Sequence, residues 1–120
     1  MDYRQLARFL AAGRIVVGLA ALVVPAAGLR SLGADGTGGA KLITRAFGGR
    51  ELVLAAGTLR ALDNDATGDH WVRAGAAADV VDAVATIMAI RALGWPRAIG
   101  LASVAGAAAA IGFRAADRLE

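Results

Sequence analysis

The chain has 120 residues, 58% of them hydrophobic, and its thirteen Lys and Arg against ten Asp and Glu give a formal charge of +3. The absence of cysteine excludes disulfides, thiolate metal sites and cysteine nucleophiles. The cations are spread along the chain with no basic block or interleaved aromatics, which argues against a nucleic-acid partner.

One domain, residues 1–120, fits this length, and a mean hydropathy of +0.58 places it above ordinary soluble composition, in the membrane class. Apolar patterning predicts four helices, residues 6–29, 42–62, 71–93 and 97–116. Each is about long enough for a ~30 Å hydrocarbon core at ~1.5 Å per residue. The first follows Arg4 and Arg8 and imitates a signal peptide, with Pro25, Ala26 and Ala27 after its apolar run. Because Met1 is retained, it is read as an uncleaved membrane helix. Pro25 is expected to kink or end it near Val24.

The glycine-rich stretch SLGADGTGGAK, residues 31–41, lacks the lysine and serine spacing of a P-loop and follows no strand, so it predicts a mobile connection rather than a nucleotide site. The acidic stretch DNDATGDH, residues 63–70, predicts a turn. Its aspartates, Asp63, Asp65 and Asp69, do not match a calcium loop, whose glycine and final glutamate are misplaced or absent. His70, the only histidine, reads as a solvated turn residue. Asp69 is expected to cap the third helix, and Pro96 fits the first turn of the fourth, after the break at Gly94-Trp95-Pro96. Trp71 and Trp95 suit two rings anchored at opposite membrane faces. Short connections make sequential helices antiparallel neighbours, and the expected fold is therefore all-α, an antiparallel four-helix transmembrane bundle.

Seven ionisable residues interrupt these helices: Arg14, Arg45, Arg50, Glu51, Arg73, Asp79 and Asp82. A charge near the bilayer centre costs at least ~2.5–3.5 kcal/mol on insertion scales, so such groups face a bundle interior, a wet cavity or one another. Arg14, Arg50, Glu51, Asp79 and Asp82 lie at similar depth in their helices. With Arg45 they make three cations and three anions, a set able to neutralise itself. Asp79, Asp82 and Thr86 follow i, i+3, i+7 spacing and share one face. Arg50 and Glu51, adjacent and hence ~100° apart around the helix, are expected to serve different neighbours. The expected pairings are Arg14 with Glu51 and Arg50 with Asp82. Three uses fit such a polar core: a structural ion network fixing helix register, a proton relay through the two aspartates, or an arginine-lined site for an anionic headgroup or acidic ligand. No catalytic residue and no metal site is predicted. Gly13-Arg14-Ile15-Val16-Val17 and Gly49-Arg50-Glu51-Leu52-Val53 also echo one another, the kind of internal repeat found in transporter folds.

The run Thr44-Arg45-Ala46-Phe47-Gly48-Gly49-Arg50-Glu51-Leu52, followed by Arg73-Ala74-Gly75 and the pair Asp79 and Asp82, resembles a family of uncharacterised small four-helix membrane proteins and is similar in layout to the DoxX-like group. The resemblance implies a bundle with Arg50, Glu51 and the aspartates in its polar core, and brings no reaction or substrate. The leading expectation is a non-catalytic integral membrane protein, an accessory or scaffold subunit. The alternatives are a small transporter or proton-conducting bundle and a DoxX-like membrane redox component. No cofactor is expected. The expected partners are the lipid bilayer and either further copies, as a homo-oligomer, or a membrane complex. The expected location is the plasma membrane, multi-pass, with cytoplasmic termini, since Arg4, Arg8, Arg114 and Arg118 flank them.

Overall fold

The computed structural model describes residues 2–64 and 68–119. Residues 65–67, including the Asp65 of the acidic turn, lie outside the described residues, as do Met1 and Glu120. All regular structure among the described residues is helical: α1 Tyr3–Val23, α2 Pro25–Ser31, α3 Gly38–Asp63, α4 Gly68–Met88, α5 Ile90–Leu93 and α6 Trp95–Asp117.

The helix boundaries follow local chemistry. Asp2 and Gln5 form a capping box at the start of α1, each side chain accepting from the other's end of the first turn. Pro25 has no N–H to continue the α1 ladder, so the expected helix 6–29 divides, and the chain restarts as α2 with Pro25 in its first turn. Thr37 accepts a hydrogen bond from Ala40 N and starts α3 at Gly38, so the glycine-rich connection is shorter than expected. The expected helix 71–93 is interrupted at Ala89, one turn after Thr86. The Thr86 hydroxyl donates to the Asp82 carbonyl at 2.6 Å, a back-bond that bends helices. Asp69 lies within the first turn of α4 rather than ahead of it, buried and 2.8 Å from His70 Nδ1. Pro96 occupies the first turn of α6, where its missing N–H costs nothing.

The four long helices form a ring in which α1 packs on α3, α3 on α4, α4 on α6 and α6 on α1; the α1–α3 and α4–α6 contacts are far more extensive than the α3–α4 seam. Side-chain pairs fix the antiparallel sense. Arg8 meets Asp63 at 2.8 Å, Arg73 meets Asp117 at 3.0 Å, and Arg4 Nη2 donates to the Leu62 carbonyl. The start of α1, the end of α3, the start of α4 and the end of α6 are thereby gathered at one end of the bundle. Trp71 lies in the first turn of α4 and Trp95 begins α6, so the two rings sit at opposite ends of the bundle.

Large side chains do not fill the centre. Among the described residues the buried apolar side chains are Pro25, Leu29, Leu62, Val72 and alanines, and Leu62 is the largest that is fully buried. Close backbone approach substitutes for interdigitation. A Cβ at Gly18 would lie 2.8 Å from the Gly48 carbonyl, and one at Gly48 would lie 2.7 Å from the Gly18 carbonyl, so α1 and α3 touch through paired glycines. Gly112 on α6 likewise seats Ala76 of α4. The bulky apolar residues point outward instead, among them Phe9, Val16, Ile43, Val53, Met88 and Val104, each more than 60% exposed. Two helices, α1 and α6, are each long and apolar enough to cross a membrane. In α3 and α4 the mid-helix charges lower the hydropathy.

Candidate functional site

Five charged side chains meet midway along α1, α3 and α4. The glycine contact between Gly18 and Gly48 brings α1 close enough to α3 for Arg14, one turn away, to reach Glu51. Arg14 forks across the bundle: Nη1 donates to Glu51 Oε2 of α3 at 2.8 Å, and Nη2 to Asp79 Oδ2 of α4 at 2.6 Å. Its guanidinium fits there because α4 presents Gly75 beneath it, where a Cβ would come within 2.9 Å of Nη2. Arg50 donates to both oxygens of Asp82, Nη1 to Oδ1 at 3.0 Å and Nη2 to Oδ2 at 2.6 Å, the bidentate geometry that suits a guanidinium. Its Nη2 also reaches Glu51 Oε1 at 3.0 Å.

The result is a continuous alternating chain, Asp79–Arg14–Glu51–Arg50–Asp82. Both expected pairings, Arg14 with Glu51 and Arg50 with Asp82, are present. Arg50 and Glu51 do not serve wholly separate neighbours, because the long arginine side chain folds back and spans the angle between them. Each guanidinium bridges two carboxylates, and Glu51 bridges two guanidiniums, one through each oxygen.

Arg45 and Thr86 stand apart from this chain. Arg45 is exposed, and its Nε donates to the Leu22 carbonyl at 3.3 Å. That carbonyl lies in the last turn of α1, which the break at Pro25 leaves without a continuing ladder, so Arg45 acts as a side-chain cap. Thr86 bonds to its own helix, and Arg73 pairs with Asp117 at the end of the bundle. The expected balance of three cations and three anions is therefore corrected. The connected set holds two guanidiniums and three carboxylates, one formal negative charge in excess when all five are ionised.

Exposure varies along the chain. The Glu51, Asp79 and Arg14 side chains are 6%, 12% and 14% exposed, whereas Arg50 and Asp82 reach 35% and 32%. The open end lies on the α3–α4 seam. There the Arg50 guanidinium stacks on Phe47 with its carbon 4.8 Å from the ring centroid, a cation–π contact that sequence reading missed although i, i+3 spacing places the two on one face. Arg50 Nε is buried and has no acceptor among the described residues. Near the closed end, Arg14, Thr58, Trp71 and Gly112 border a pocket of about 10 Å³, room for about one water molecule.

No family model matches the chain, and no curated protein or solved structure matches it. Among the described residues no group of three or more His, Cys, Asp or Glu is arranged to hold a metal ion. The chemistry the arrangement offers is the locking of helices by paired charge. A buried pair of this kind is weak as a source of net stability, and a misaligned helix would leave a charge unpaired.

Proposed function

We propose that the chain is a small integral membrane protein in which all four long helices cross the bilayer as an antiparallel bundle, and that it serves as a non-catalytic accessory or scaffold subunit. The observation that carries this reading is the inverted distribution of side chains. Bulky apolar groups cover the outside, while the five mid-helix charges turn inward and pair. A water-soluble domain rarely exposes apolar surface on this scale, and lipid favours this arrangement. The longest dimension, 43 Å, suits a bilayer of about 40–45 Å including headgroups.

The small pocket and the closed pairing of Arg14, Glu51 and Asp79 favour a structural polar centre over a solute path. The proposed location is the plasma membrane, with the termini and the turn at Asn64 on the cytoplasmic side. Because the chain has no native cysteine, single cysteines serve as topology reporters in an otherwise unchanged protein. Vesicles carrying Asn64→Cys, Gly36→Cys or Ala92→Cys are treated with a membrane-impermeant maleimide after washing at alkaline pH. The proposal expects retention in the membrane pellet, with position 64 labelled from one side and positions 36 and 92 from the other. Release by the alkaline wash, or labelling of all three from one side, would refute it.

A further inference from the structure

We propose that the α3–α4 seam around Asp82 is the docking face for a transmembrane helix of a different protein that presents one arginine or lysine at mid-membrane depth. This rests on the membrane reading above and supplies the chemistry of the partner that an accessory subunit requires.

Charge complementarity and position together support the inference. The chain Asp79–Arg14–Glu51–Arg50–Asp82 carries one carboxylate more than its guanidiniums match, and no other cation among the described residues reaches it. Arg45 is turned to the Leu22 carbonyl, Arg73 is turned to Asp117, and α6 has no charged residue between Arg97 and Arg114. The excess is not sealed inside. Its outer end, Asp82, is 32% exposed about two-thirds of the way along α4, level with mid-helix Arg50 of α3, on a helix contact far less extensive than α1–α3 or α4–α6. In lipid that carboxylate would face acyl chains, which is unfavourable for an ionised group without further pairing.

The surrounding surface suits an apolar helix. Val53 on α3 and Val81 on α4 are each more than 60% exposed, and the Phe47 ring lies against the Arg50 guanidinium. A helix laid against this seam with one central cation would cover the exposed end and bring the set to three cations and three anions. A second copy of this chain fits poorly, since two such faces would oppose one excess negative charge with another.

The test uses the full chain in lipid vesicles and a synthetic helix of about 20 leucine and alanine residues, long enough to span. The helix carries a central Arg, Leu or Asp, and association is read by resonance energy transfer. The Arg helix is expected to associate about tenfold or more tightly than the Leu helix, the fold-change of a modest interfacial charge pair, and the Asp helix more weakly than either. Asp82→Asn should abolish the Arg preference. Glu51→Gln, which removes the excess charge without touching the exposed carboxylate, should reduce it, and it supplies the comparison if Asp82→Asn does not fold. Equal association of the Arg and Leu helices by a chain that resists alkaline extraction would overturn the partner chemistry alone. Equal association together with extraction of the chain would overturn the membrane reading and this inference with it. Association between differently labelled copies that is lost in Asp82→Asn would assign the face to self-association and overturn the proposal.

Discussion

Arg14→Gln and Glu51→Gln both break two links of the ion chain, yet their costs should differ widely. Arg14→Gln removes the contacts to Glu51 at 2.8 Å and Asp79 at 2.6 Å and leaves Arg50 alone against three carboxylates. Asp79, 12% exposed, then has no cationic partner. Stranding a buried charge in this way costs about 3–5 kcal/mol. Glu51→Gln instead leaves two balanced pairs, Arg14 with Asp79 and Arg50 with Asp82. Its carboxamide oxygen accepts from one guanidinium while its NH2 group faces the other, so the loss is about 1–2 kcal/mol, that of one poorly made hydrogen bond. The two variants should thus differ by about 2–3 kcal/mol. Equilibrium unfolding in mixed micelles with increasing denaturing detergent, followed by helical circular dichroism and Trp fluorescence, measures the gap. A Glu51→Gln protein as unstable as Arg14→Gln would refute the reasoning, because connectivity rather than charge excess would then set the cost.

Three further outcomes follow from the same contacts. Replacing Arg50 and Asp82 together by Met and Leu should be milder than Arg50→Met alone by about 2 kcal/mol or more, since the single change strands Asp82 and the double does not; the same unfolding titration ranks them. Gly48→Val places side-chain atoms where the Gly18 carbonyl already sits and should separate α1 from α3 at a cost of about 1–3 kcal/mol or more, seen as a lost cross-link between cysteines introduced at neighbouring positions of the two helices. Arg45→Gln should cost less than about 1 kcal/mol, because it weakens only a long, exposed contact to a helix end, and an effect as large as that of Arg14→Gln would place Arg45 in the polar centre after all.

The depth of Arg14, Arg50, Glu51, Asp79 and Asp82 was readable from sequence because helical rise converts residue number directly into height. The two pairings followed from that shared height. What sequence alone did not reveal was where a long side chain bends. Arg50 folds back to its neighbour Glu51, and Arg14 forks to reach a second acid, because Gly75 leaves space above α4. Arg45 lies outside the polar centre for a related reason. The Pro25 break was legible, but its consequence, an orphaned carbonyl at Leu22 that attracts a nearby guanidinium, appears only when α1 and α3 are packed side by side. The early start of α3 at Gly38 was hidden by the low helix propensity of glycine, which the Thr37 cap and tertiary packing override.

Helices that touch through glycine and alanine are nearly smooth cylinders, and smooth cylinders slide and roll. In most bundles interlocking leucines act as gear teeth; here Leu62 is the largest side chain fully enclosed. The task of indexing one cylinder against the next passes to the charges. Asp79 and Asp82, one turn apart on α4, are tethered to α1 and to α3 respectively, so a single helix is held from two directions at one height and can neither rotate nor ratchet without opening a tether. The outer apolar positions carry little of that information. Exchanges among Leu, Ile, Val and Met there should leave the architecture intact, whereas the five charged positions and the glycines beside them allow almost no drift.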